Sequence, residues 1–282
     1  MRGESLRRVA RGFFRRWTSP LGLAIFLLVL AMALGARAVF PEDPFAMVTR
    51  PLQWPGESPA YPLGSDMLGR DVLAGIFHGA RVSLAIGAVA TAAALCAGVL
   101  IGALAGYYGG TIDDLLMRAT EAFQTIPPFV FVIVVVVIAR PTIRSITLAI
   151  ALVSWPSVAR LVRAEFIALR HREFVQACRA VGMGDLRIIF RQILPNALAP
   201  IIVTASIMVA TAILTESALA FLGLGDPNVM SWGSMIGAGR EMLRTEWYLT
   251  ALPGFAILLT VLALNLIGEG LNDALNPTLR DR

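Results

Sequence analysis

QACRAVGMGDLRIIFRQILPN, residues 176–196, sits between two long apolar runs yet carries Arg179, Asp185, Arg187 and Arg191. Its pattern predicts a helix broken near residues 182–184 and a second helix stopped at Pro195. Lipid is the wrong place for it. Arg160, Arg163, Arg170, Arg172, Arg179, Arg187 and Arg191 cluster here, and at about 3 kcal/mol each, burial would cost on the order of 20 kcal/mol. A plain connection between two spans needs only a few polar residues. Residues 165–196 are far longer and keep helical periodicity. Ala177, Ala180 and Val181 share one face, and Leu186, Ile189 and Ile193 share another. An apolar face on a helix in water seeks a partner.

The remainder of the chain is built for a bilayer. Of 282 residues, 57% are hydrophobic and 15% charged, with a mean hydropathy of +0.72. Soluble domains average about 45–50% apolar and about 25% charged. The sequence predicts an all-α polytopic membrane protein with six transmembrane helices, near residues 20–40, 82–107, 115–139, 143–161, 198–221 and 250–267. Ser19 and Pro20 read as a capping hydroxyl and a first-turn proline. The arginine-rich start followed by a long apolar run reads as a retained first span, because no small-residue cleavage site follows a short core.

Several details qualify these spans. Gly98, Gly102 and Gly106 repeat every four residues, the spacing that lets helices pack closely in lipid. The apolar part of the third span, residues 129–139, is too short to cross. Its helix must start near Leu115, take in Glu121 and Gln124, and kink at Pro127 and Pro128. A short amphipathic helix over residues 71–79 leads into the second span. The stretch 41–80 holds Pro41, Pro44, Pro51, Pro55, Pro59 and Pro62, which forbid a long helix. Trp232, Trp247 and Tyr248 suit an aromatic belt at the membrane face.

Net charge is +5 with Lys absent. The arginines collect at the ends of apolar runs, as membrane topology requires, so no nucleic-acid partner is implied. Arg2, Arg7, Arg8, Arg11, Arg15 and Arg16 place the N-terminus in the cytoplasm, and six spans return the C-terminus there. The resulting division is a cytoplasmic segment 1–19, a first span 20–40, an extracytoplasmic segment 41–81, a five-helix core 82–272 and a cytoplasmic tail 273–282. Residues 165–196 are then cytoplasmic, while 41–81 and 222–249 face outward. Cys96 and Cys178 fall in different environments, which argues against a disulfide. His78 and His171 lie on opposite sides, so no metal site is expected. No catalytic cluster occurs within the spans. Glu121, Gln124 and Glu216 are candidates to line a water-filled path, or else interhelical hydrogen-bonding groups.

The opening stretch resembles the EAA loop of ABC importer permeases. Gln176, Ala177 and Cys178 stand at the Glu-Ala-Ala positions, Gly182 at the glycine, and Leu194 and Pro195 at the Leu-Pro, while Gln192 replaces Ile. YPLGSDMLGRDVL, GARVSL, GYYGG, WPSVARLVRAE, DLRIIFRQILPN, FLGLG, SWGSM and GEGLNDALNP are similar, in that order, to the C-type permease subunit of dipeptide and oligopeptide importers. The resemblance implies a type I importer permease fold in a bacterial inner membrane. It also implies that the stretch forms coupling helices docking on separate ATPase subunits, through Gln176, Ala177, Cys178, Arg179, Ala180, Gly182, Asp185, Leu194 and Pro195. Its implied partners are a homologous second permease, two ATP-binding subunits and an extracytoplasmic solute-binding protein. The chain has no G-x-x-x-x-G-K-[ST] loop, so it is not expected to be an enzyme or to bind a cofactor, and ATP with Mg would be used by the partner subunits. Two alternatives stay open. Relatives of this type carry nickel chelates, glutathione, antimicrobial peptides or oligosaccharides. A secondary transporter driven by an ion gradient would show internal repeats, and none is apparent.

Overall fold

The computed structural model of the chain describes residues 12–14 and 16–275. Arg2, Arg7, Arg8, Arg11 and Arg15, and the end of the tail from residue 276, lie outside them. The long helices are α1 (Thr18–Val39), α2 (Val72–Tyr108), α3 (Gly110–Gln124), α4 (Pro128–Ala139) and α5 (Ile143–Arg170). They are followed by α6 (Glu173–Ala180), α7 (Asp185–Ile188), a π turn (Ile189–Ile193), α8 (Leu194–Phe221), α9 (Trp232–Gly239) and α10 (Tyr248–Leu275). Among the described residues five helical runs are long and apolar enough to cross a membrane: α1, α2, α5, the continuous stretch Asp185–Phe221, and α10. The pair α3 and α4 makes a sixth candidate, bent by 77° at the break.

The second span and the short helix before it are one element. Asp71 caps α2, its Oδ1 accepting the Leu73 N–H at 2.8 Å, and the helix then runs for 37 residues. At 1.5 Å per residue that is roughly 55 Å, well beyond a hydrocarbon core of about 30 Å. One end therefore stands clear of the membrane. Ser19 does not cap α1, which starts at Thr18 without a side-chain cap. Its side chain is buried instead, and a Cβ on Gly270 would collide with the Ser19 hydroxyl.

The glycine stripe on α2 is the seam against α5. A Cβ at Gly98 would lie 2.5 Å from Val158 Cβ, and one at Gly106 would lie 2.6 Å from Phe166 Cβ. At Gly102 it would lie 2.8 Å from Val162 Cβ and closer still to the Ala159 carbonyl. No larger residue allows the two backbones to meet this way. A second core joins α2, α4, α5 and α8 through Ile86, Val132, Val136, Ile146 and Leu219.

Three expectations are corrected by the structure. Pro127 and Pro128 do more than kink the third span. Two consecutive prolines remove two N–H donors, and Pro127 sits at φ −53°, ψ 129°, so the chain leaves the helix altogether. Pro195 does not stop a helix. The π turn at Ile189–Ile193 widens the ladder just ahead of it, and Pro195 falls in the first turn of α8, where its missing N–H matters least. Trp232 is no belt residue. It is fully buried, and its Nε1 donates to the Ile76 carbonyl at 2.9 Å, which satisfies its polar edge and permits complete burial. Tyr248 is buried too, its hydroxyl donating toward the carbonyls of Gln53 and Ser65 at 3.0 and 2.9 Å. That contact pins the segment before α2 to the start of α10. Trp247 alone of the three is exposed.

Candidate functional site

Helix α5 continues to Arg170, turns at His171, and hands over to α6. The break after α6 is a Schellman motif. The Gly182 N–H donates to the Arg179 carbonyl at 2.9 Å and the Met183 N–H to the Cys178 carbonyl at 3.0 Å. Gly182 has φ +76° and a Cβ there would meet nothing within 4 Å. The position needs glycine for its backbone, not for space.

One face of this hairpin is fixed to the protein's own spans. Val175, Ile188, Ile189 and Ile193 are all at most 1% exposed, packed with Tyr107, Val162 and Phe166. The other face is uncovered: Val181 is 79% exposed and Leu186 65%, with Phe174 and Phe190 beside them in the exposed class. The expected grouping of Leu186 with Ile189 and Ile193 is thus split, because the π turn shifts the helical register between them. Gln176, Ala177, Arg179, Ala180, Gly182, Asp185 and Pro195 are exposed, whereas Cys178 and Leu194 are half-buried against the apolar cluster.

The charges of the hairpin are tied down by contacts the sequence did not announce. The Tyr107 hydroxyl donates to Asp185 Oδ1 at 2.6 Å, and the Arg179 guanidinium lies 5.2 Å from the centre of the Tyr107 ring. Arg170 Nη1 donates to the Gly106 carbonyl at 3.0 Å. Arg163 grips Asp113 with two bonds, Nε to Oδ1 at 2.5 Å and Nη2 to Oδ2 at 2.6 Å, a fork geometry that sets α3 against α5. The motifs GYYGG and WPSVARLVRAE contain Tyr107, Arg163 and their neighbours, but nothing in a single sequence pairs residues 50 or 78 positions apart.

The three path candidates do not converge. Glu121 is exposed on α3 and Gln124 half-buried, and neither side chain makes a hydrogen bond among the described residues. Glu216 is 3% exposed, and its Oε1 accepts from the Ser231 hydroxyl at 2.6 Å. A large open cavity, about 1300 Å³, lies elsewhere, along α2 and the start of α5, and none of the three lines it. Among its walls are Arg81, Ala85, Val89 and Ala93 of α2 and Arg144, Thr147 and Leu148 of α5. Among the described residues no group of His, Cys, Asp or Glu is arranged to hold a metal ion. Both cysteines are free, Cys96 exposed and Cys178 half-buried.

The family model described as "Binding-protein-dependent transport system inner membrane component" matches residues 98–281. The chain belongs to this family. The permease is 40% identical over 92% of its length, and 88% of the relative's, to the di/tripeptide transport system permease protein DppC of Pseudomonas aeruginosa. It is 39% identical to the dipeptide transport system permease protein DppC of Escherichia coli, covering 95% and 91% of the two chains. It is 36% identical to the glutathione transport system permease protein GsiD of Pectobacterium atrosepticum, covering 99% and 95%. Among solved structures, the inward-facing MetNI methionine ABC transporter matches with a TM-score of 0.59 at 16% identity, over 72% of this chain and 96% of that one. The fold is therefore that of an ABC importer permease, as the sequence implied. The permease is a multi-pass membrane protein of a transport system that depends on a binding protein.

Proposed function

We propose that this permease forms half of the translocation path of an ATP-driven importer of di- and oligopeptides. A second, homologous permease would complete the path. Two ATPase subunits would dock on the cytoplasmic side, this permease engaging them through the 173–188 hairpin, and a solute-binding protein would deliver cargo to the opposite side. One observation carries the reading. The hairpin is rigidly seated on α2 and α5 by one face and leaves Val181, Leu186 and Phe190 uncovered on the other. A partner pressing on that face moves the spans, since the seat is apolar, close-packed and cross-braced by Tyr107, Asp185 and Arg170. The chain itself has no phosphate-binding loop and no Lys, so ATP with Mg belongs to the partner subunits. Counting α3 and α4 as one span gives six, and together with the arginine balance this supports a cytoplasmic side for both termini.

The peptide cargo is supported by relatives named for dipeptides that align over nearly the whole chain. Glutathione is the second reading, because a glutathione permease aligns over 99% of it. Transport would proceed by alternating access, with ATP shifting the balance between outward-facing and inward-facing states. Reconstitution with the second permease, the ATPases and the binding protein tests both points. ATP hydrolysis that rises with dialanine-loaded binding protein, and not with glutathione, supports the peptide reading. A rise with glutathione alone replaces the cargo. No rise with any cargo, in an assembled complex, removes the coupling role.

A further inference from the structure

The open cavity carries charges that the coupling mechanism does not use. Arg37, Arg81, Arg144, Glu42 and Asp43 all line it. None of the three arginines forms an ion pair or hydrogen bond among the described residues. Arg16 pairs with Glu269 and Asp273, Arg50 with Glu57 and Arg163 with Asp113, whereas the side chains of Arg118, Arg140, Arg160, Arg172, Arg187, Arg191 and Arg244, like those of the cavity arginines, make no ion pair or hydrogen bond among the described residues. What sets Arg37, Arg81 and Arg144 apart is that they share one cavity. An arginine at the end of a span, left without a carboxylate, faces water, a lipid headgroup or a ligand.

The arrangement below these arginines gives the cavity a direction. Ala85, Val89 and Ala93 follow Arg81 at four-residue steps, so they form a stripe down one face of α2. Thr147 and Leu148 follow Arg144 by about one turn of α5. Two cations from different helices thus stand at the head of a smooth, mostly apolar track. The wall is concave and includes loop residues Pro41 and Asn228, unlike the convex face a helix offers to lipid. Guanidinium groups match carboxylates with paired, parallel bonds. Every linear peptide brings a C-terminal carboxylate and an N-terminal ammonium, and Glu42 and Asp43 at the same cavity complement the latter.

We propose that Arg81 and Arg144 receive the C-terminal carboxylate of an incoming peptide at the outer mouth of the path, with Arg37 adding attraction at the rim. This assignment rests on the peptide-import reading, and it names the part of the cargo that this chain recognises. Cargo selection is then not left wholly to the binding protein, because a peptide lacking the free carboxylate meets unpaired cations on the way in.

The test is uptake of labelled dialanine by the complete complex in phosphatidylcholine vesicles, at saturating binding protein. Absence of ATP-dependent uptake by the unaltered complex removes the import reading itself, before any variant is compared. Given uptake, the double variant Arg81→Gln with Arg144→Gln is expected to slow it about tenfold or more, as loss of a charge-assisted bond implies. Arg81→Lys with Arg144→Lys keeps the charge but loses the paired geometry, so its rate is expected to fall between those of the wild type and the Gln variant. Wild-type rates for an equally assembled Gln variant overturn the proposal. So does a Lys variant as impaired as the Gln variant, which marks a structural role. A deficit that appears only when anionic lipid is added assigns the arginines to headgroups, and one abolished by still more binding protein assigns them to that protein. If the double Gln variant does not assemble, Arg144→Gln alone decides, being exposed in the first turn of α5. Its uptake should fall about threefold or more, and an unchanged rate overturns the assignment.

Discussion

Substitution at Gly182 separates the fold of the hairpin from its work. The residue has φ +76°, and a Cβ there meets nothing within 4 Å. Gly182→Ala therefore introduces no collision, only the cost of a left-handed backbone, about 1–2 kcal/mol. Its neighbour Val181 is 79% exposed, so the strain is confined to the tip and the spans should insert normally. If docking needs the Schellman turn intact, a cost of this size lowers the competent fraction about 5–30-fold. Asn tolerates the left-handed region better than Ala. Rates of ATP-driven uptake should then rank Gly182 first, Gly182→Asn second and Gly182→Ala third, at equal amounts of inserted permease. Gly182→Asp has a backbone tolerance close to that of Asn but adds a charge to the free face, and should fall well below Gly182→Asn. Uptake of the Ala variant equal to wild type would refute the reasoning. So would equal rates for the Asn and Asp variants, because the tip would then touch nothing.

Other outcomes follow from the same geometry. Gly102→Val forces α2 away from α5 at the Ala159 carbonyl and Val162, so the detergent-purified permease should lose about 1–3 kcal/mol or more in thermal unfolding. Gly35→Ala, with nothing within 4 Å, should be neutral or stabilising by comparison. Tyr107→Phe keeps the ring beneath Arg179 but deletes the bond to Asp185, and amide exchange over residues 173–188 should quicken about tenfold, equivalent to about 1.4 kcal/mol, while α10 is unchanged. Burial pushes the Asp71 carboxyl above its ordinary 3.8, against the pull of backbone N–H bonds from Leu73 and Ala74. A raised folded-state value means that its contribution is fully present at low pH and lost as pH rises through and above that value. Asp71→Asn, which still caps α2, should therefore match or exceed wild-type stability at pH 7, with its relative advantage shrinking as pH falls through the raised value and gone below the ordinary 3.8.

The features that could be read from the chain were those carried by local pattern. Apolar runs of span length, the four-residue glycine step and the arginine count of residues 160–191 each report on a neighbour within a few turns or on the solvent, lipid or water. The glycine step foretold close packing, though not that α5 would be the partner. Local pattern also misled where tertiary structure overrode it. Pro195 has the look of a helix stop, but a π turn absorbs it. Trp232 has the look of an interfacial aromatic, but the Ile76 carbonyl satisfies its N–H deep inside. The cross-braces Tyr107–Asp185 and Arg163–Asp113 were invisible because they depend on which helix faces meet. The charged cavity escaped for the same reason, since Arg37, Arg81 and Arg144 come from three separate helices.

The most direct test of the central claim is dialanine uptake by the reconstituted complex with ATP present or absent on the hairpin side, with and without an ionophore that collapses ion gradients. The account predicts uptake that requires ATP and is indifferent to the ionophore. Uptake that persists without ATP and is abolished by the ionophore would contradict it, and would make the permease a gradient-driven carrier.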